Sequence, residues 1–215
     1  MGWFSNDRDP ASRIDCVTTL SLDATTKPDI APIDAGSTNL ENYDTETKCF
    51  SYADRVYINR TDTLELYARE FHRSGIKPQL VCWSVGFVRR ALALMETGIV
   101  SDPAYFLMNM TDGLYLTGHS GTAEGLQAYL QFLPFNFKIE WSTNIIGGNL
   151  LTLAEIVAKR GGHLAPGVGD YHYREFGCPS NEELVRMAAQ KVRSAGRELV
   201  VSTTSGKCST CDGRA

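Results

Sequence analysis

Several things are missing from this 215-residue chain, and each absence removes a class of protein. No apolar run approaches the ~20 residues that span a bilayer. The first nine residues lack the basic-then-apolar order of a signal peptide, so the expected location is the cytoplasm. Lys and Arg (21) do not outnumber Asp and Glu (25), and the net charge of −4 offers no footprint for nucleic acid or an anionic membrane. The first strand–helix turn has no Gly-x-Gly-x-x-Gly, and there is no Walker lysine. Six cysteines are present, but only Cys208 and Cys211 form a Cys-x-x-Cys. A zinc ribbon needs a second pair, and a thioredoxin-type site needs a strand before it and a helix after it. Residues 200–215 therefore read as a flexible tail. Hydrophobic content of 43% and charged content of 21% are those of a globular protein with one core, which places a single domain over residues 1–199.

What is present is a regular alternation of strands and helices. Residues 28–36 (PDIAPIDAG), 78–83 (PQLVCW), 104–110 (AYFLMNM), 137–143 (FKIEWST) and 163–168 read as five strands. They are apolar throughout, as expected when both faces are covered. Helical stretches are expected near 9–25, over 61–74, from Val85 to a stop at Gly98, and over 122–133, 149–159 and 180–193. Ser180 caps the last, with acids in its first turn. Such alternation implies a parallel sheet with right-handed crossovers. A doubly wound open sheet and a (β/α) barrel both fit. The glycine-rich loop at Gly167 to Gly169 follows the last strand, which favours the barrel, although five strands cannot close one.

In such folds chemistry is placed on loops beyond the carboxyl ends of strands. The stretch 161–173 (GGHLAPGVGDYHY) has that position. It carries Asp170 as the candidate acid and His172 as a candidate imidazole, between Tyr171 and Tyr173, which could line a mouth with it. His163, opening the strand, reads as a structural histidine. Asp34 sits in an apolar strand, where a carboxylate must be paired, hydrogen-bonded or metal-bound. At period 2 it shares a face with Pro32 and Gly36 and would point into a barrel interior. Asn109 and Glu140 complete a set of polar strand residues; Glu140 also reads as an edge residue. The loop Gly118-His119-Ser120-Gly121-Thr122 could hold an anion at the following helix, although a plain helix start accounts for it.

Taken in order, Lys27-Pro-Asp-Ile-Ala-Pro-Ile-Asp-Ala-Gly-Ser-Thr-Asn39, Gly75-Ile-Lys-Pro-Gln-Leu80, Gly147-Gly-Asn-Leu-Leu151, Gly161-Gly-His163, Gly167-Val-Gly-Asp170 and Ser180-Asn-Glu-Glu-Leu-Val185 resemble the β-keto acid cleavage enzymes. The resemblance implies an α/β fold of the TIM type, a (β/α)8 barrel of which about five strand–helix units are present here. It implies cleavage of a β-keto acid against acetyl-CoA, giving acetoacetate and a new CoA thioester. It also implies a divalent metal, usually zinc, which polarises the keto group, and a homo-oligomer. The family's catalytic aspartate falls on Asp170 as general base. Substrate contacts fall near Asp34, with Asn109 and His172 as further candidates. The metal-binding His-x-His lies on a strand that would precede Met1. The glutamate that completes the metal site is Gly169 here, the arginine four positions before it is Ala165, and the glutamate of the second strand is Val81. Glu140 is the remaining candidate ligand. A second reading is a non-catalytic relative, kept as a binding or structural subunit. An incomplete barrel is further expected to expose its end strands, residues 30–33 among them, and so to associate or be poorly soluble.

Overall fold

The computed structural model describes residues 9–113 and 115–200. The tail assigned to 200–215, with Cys208 and Cys211, lies outside these residues except for Val200. In chain order the main elements are α1 (Pro10–Leu20), β1 (Ile30–Asp34), β2 (Thr38–Asn39), β3 (Asn42–Asp44), β4 (Cys49–Ser51) and β5 (Val56–Tyr57). Then come α2 (Thr61–Arg73), β6 (Lys77–Cys82), α3 (Val85–Glu96), β7 (Ala104–Thr111) and α4 (Ala123–Leu130). The chain closes with β8 (Ile139–Ile146), α5 (Ala154–Lys159), β9 (His163–Leu164) and α6 (Asn181–Ser194).

Five strands form one parallel sheet in the order β1-β6-β7-β8-β9. Each strand pairs with the next long strand in the chain, so the order never reverses. A doubly wound sheet requires a reversal at its switch point, and that alternative is removed. Short antiparallel pairs, β2 with β5 and β3 with β4, build an arm between β1 and α2 that the sequence did not disclose.

The register divides the sheet into two faces. Ile33, Leu80, Phe106 and Trp141 are lateral neighbours on one of them, joined by Cys82, Met108, Met110 and Ile145. Helices supply the other half of that core. The apolar stripe of α2 (Leu64, Tyr67, Ala68, Phe71) packs on β1 and β6, and α3 and α4 cover β6 and β7. At about 25 cal/mol per Å2 of apolar surface, this burial is the main stabilising term of the fold. Cys82 is fully buried here, as a small hydrophobe, and burial raises its thiol pKa. The end strand differs from expectation in one respect. Ala31 and Ile33 of β1 are buried against the helix layer, and only Pro32 between them is exposed.

Two local features seat the last unit. Gly161 ends α5 with φ +79°, and Gly162 lies so close to the Trp141 ring that any Cβ would overlap it. At the start of α6, Ser180 accepts from Glu183 N while the Glu183 carboxylate accepts from Ser180 N, a full capping box.

Candidate functional site

The second face of the sheet carries the polar residues. Asp34, Val81, Leu107, Ser142 and His163 form one row across it, and Gln79, Tyr105 and Glu140 the row nearer the amino ends. Towards the carboxyl ends Asn109 and Asn144 are direct lateral neighbours, followed by Thr111 and Ile146. Asn109, Thr111, Ser142 and Asn144 are all buried. A buried carboxamide or hydroxyl costs free energy unless it is paired, so four on one face mark it as more than a packing surface.

Asp170 reaches this face from the loop after β9. Its carbonyl accepts from Gly147 N at 2.8 Å and its own N–H donates to Gly167 O at 3.2 Å, which fixes the backbone. Asn144 Nδ2 donates to Asp170 Oδ2 at 3.3 Å. Partial burial raises the Asp170 pKa, and the Asn144 bond opposes that rise by favouring the charged form. The loop is pinned beyond it as well. Val168 N donates to Asn181 Oδ1, Asn149 Nδ2 to Glu175 Oε1 at 2.6 Å, and Tyr171 OH to Glu175 Oε2. Tyr173 is only 1% exposed and packs with Leu151, Leu184 and Ala188. It anchors the loop rather than lining a mouth, and His172 beside it is exposed.

Asp34 occupies the carboxyl end of β1 on the same face. Trp83 Nε1 donates to its Oδ1 at 2.6 Å. Its pKa is raised, chiefly by burial, against the Trp83 and Tyr57 hydrogen bonds and the charge of Arg13. Arg13 Nη2 in turn donates to Tyr57 OH at 3.1 Å, and burial with the nearby Asp34 charge pushes Tyr57 up to about 12. Asn59 Nδ2 donates to the Asp34 carbonyl. The arm of β2 to β5 is thus tied to β1 at this carboxylate.

The structure brings Asp34, Asn109 and Asp170 to the carboxyl half of one face. Glu140 shares the face but sits near the amino end of β8, where His163 Nε2 lies 3.4 Å from its Oε2. That pair accounts for His163 as a structural histidine and takes Glu140 away from the acid at the other end of the strand. The loop before α4 is a helix start: Thr122 Oγ1 accepts from Gly125 N, and Gly125 lies directly against the Ser120 carbonyl. Asn144 was missed because the expected strand stopped at 143. The strand runs on to Ile146, and Glu140, Ser142 and Asn144 at period 2 were the available signal.

A parallel sheet wound in one direction, with buried polar groups and an acid-bearing loop at the carboxyl ends of its strands, has the site placement of (β/α) enzymes. The chain matches the family model for beta-keto acid cleavage enzyme over residues 4–204, and it belongs to that family. It is 23% identical over 177 residues to the 3-keto-5-aminohexanoate cleavage enzyme of Acetoanaerobium sticklandii, covering 80% of this chain and 58% of that protein. Similarity extends to the 3-dehydrocarnitine:acetyl-CoA trimethylamine transferase of Rhizobium meliloti (26% identical; 80% of this chain, 53% of that protein). A third relative is the 3-oxoadipate:acetyl-CoA acetyltransferase of Cupriavidus necator, 25% identical over 80% of this chain and 57% of that protein. The chain spans little more than half the length of these curated relatives.

Proposed function

We propose that this protein exchanges acyl groups between a β-keto acid and acetyl-CoA, releasing acetoacetate and a CoA thioester. The names of two relatives carry acetyl-CoA and those of three carry a 3-keto acid, which supports this substrate pair. The observation that carries the reading is Asp170. It is half-buried at the carboxyl end of the sheet, its backbone is fixed on both sides, and its pKa is raised. A carboxylate lifted towards the working pH and held in one orientation is suited to take up a proton as general base. Asp34 and Asn109 face the same space and are proposed to contact substrate, with exposed His172 at its rim.

The sheet is proposed to be part of a (β/α)8 barrel, whose interior the polar face would line. A homo-oligomer is proposed with it, as the family resemblance implies, located in the cytoplasm. The zinc implied by the resemblance is less well served. Among the described residues no three His, Cys, Asp or Glu side chains gather, and Gly169 has no ligating side chain. Zinc takes three or four protein ligands, so these residues do not make its site by themselves. The metal part of the proposal depends on ligands other than the described residues.

Purified protein incubated with acetyl-CoA and a panel of β-keto acids, with and without added zinc, is expected to form acetoacetate and a new CoA ester. Absence of turnover across the panel, together with absence of bound metal, would sink this reading. The second reading, a non-catalytic binding or structural subunit, is favoured by Gly169 at the ligand position and would then take its place.

A further inference from the structure

We propose that Asn144 is the positioning residue of the Asp170 carboxylate, holding it through its amide nitrogen while presenting its own carbonyl oxygen to the bound ligand. The meaning of this inference for catalysis rests on the reading of Asp170 as general base. Its geometry does not.

Asn144 is fixed on β8, a strand paired on both sides, and is 8% exposed. A rigid strand is a better platform than a loop for orienting a reacting group. The Asp170 backbone is already held by Gly147 and Gly167, so the remaining freedom is rotation of the carboxylate. The bond from Asn144 Nδ2 to Oδ2 restrains that rotation. Nearby, the Tyr173 pKa is raised first by burial and then, among charges, by Asp170.

The second observation separates this role from simple packing. Asn144 Oδ1 is buried and has no hydrogen-bond partner among the described residues. Buried carboxamides are ordinarily satisfied at both ends, and an orphan acceptor calls for an explanation. Here it lies on the face that carries Asp34 and Asn109. The amide orientation has its own logic: turned over, the oxygen would face the Asp170 carboxylate and repel it. An N–H or O–H donor on the ligand is the chemistry that completes Oδ1.

The test is a titration of Asp170 followed by NMR in protein labelled with carboxyl-13C aspartate, the resonance being assigned by its loss in Asp170→Asn. Asn144→Leu, close in volume but without a donor, is expected to raise the Asp170 midpoint by roughly one pH unit. An unchanged midpoint in folded Asn144→Leu overturns the proposal. If Asn144→Leu does not fold, near-isosteric Asn144→Asp decides. Two coupled steps, the upper one above the wild-type midpoint, support the role; one unshifted step overturns it. The measurement needs no turnover. A shifted midpoint in an inactive protein upholds Asn144 and removes the proposed reaction, whereas turnover with an unshifted midpoint does the reverse.

Discussion

Along β7, Ala104, Phe106, Met108 and Met110 point to the helices, while Tyr105, Leu107, Asn109 and Thr111 point the other way. The first set is at most 1% exposed and wholly apolar. The second mixes partly exposed Tyr105 and Leu107 with buried polar groups. On β8 the same division separates Trp141, Thr143 and Ile145 from Glu140, Ser142 and Asn144. The first face packs on the helices, and its one hydroxyl on these two strands, that of Thr143, donates to the Met108 carbonyl at 2.8 Å. The other tolerates carboxamides and hydroxyls that cost stability unless they are paired, which is the signature of residues kept for binding or chemistry. Helix packing and the candidate site are thus separated by a single residue step along β7 and β8.

Substitutions at adjacent positions can break that comparison. Phe106→Ala empties a fully buried ring site and is expected to cost about 3–5 kcal/mol by denaturant unfolding. Its neighbour Leu107→Ala, half-buried on the other face, should cost about 1 kcal/mol. Equal losses would mean that the two faces are packed alike. Tyr129→Phe comes next. Its hydroxyl donates to the Asn109 carbonyl at 2.9 Å from beneath the sheet, and losing it should cost about 1–2 kcal/mol, read as a lower midpoint of chemical unfolding. Ser180→Ala removes half of the α6 capping box and should cost about 1 kcal/mol, with no effect on the Asp170 carboxyl.

The smallest effect concerns pH. The folded pKa of Asp34 is raised above its unfolded value. The protonated carboxyl therefore favours the fold below the unfolded value of about 3.9, and that contribution is lost as pH rises through the folded pKa. Asp34→Asn, which cannot ionise, should melt higher relative to wild type at pH 7 than it does at pH 3.5. A difference of the opposite sign would show that the Trp83, Tyr57 and Arg13 contacts outweigh burial.

Much of the helix face was legible in the sequence. The strands β1, β6 and β7 carry short apolar runs and β8 an alternation of apolar and polar residues, and Gly75, Gly98 and Gly161 mark the ends of the helices before them or beside them. The arm at 38–57 was not legible. Its strands are two or three residues long, and polar residues such as Thr38, Asn39, Asn42 and Asp44 show no usable period. The last strand was expected over 163–168 but pairs only at His163–Leu164; Pro166 cannot donate to a ladder, and the glycines beyond it turn the chain into the loop. Of the candidate site, Asp170 and Asp34 drew attention because single acids in apolar or glycine-rich settings stand out. Asn144 could not be weighed with them once the strand was ended at 143, three residues short of its observed end. His172 drew attention through its residue type alone, and the fold leaves it exposed.

The polar face is proposed to carry the chemistry, with Asp170 as its base. Asp170→Asn tests it most directly, with CoA-ester formation and thermal melting measured on the same sample at pH 7. Turnover should fall by about 10^2–10^4-fold. Stability should not fall, because the change removes a buried carboxylate whose pKa is raised. Undiminished turnover in the folded variant, or loss of turnover only in step with unfolding, would contradict the account.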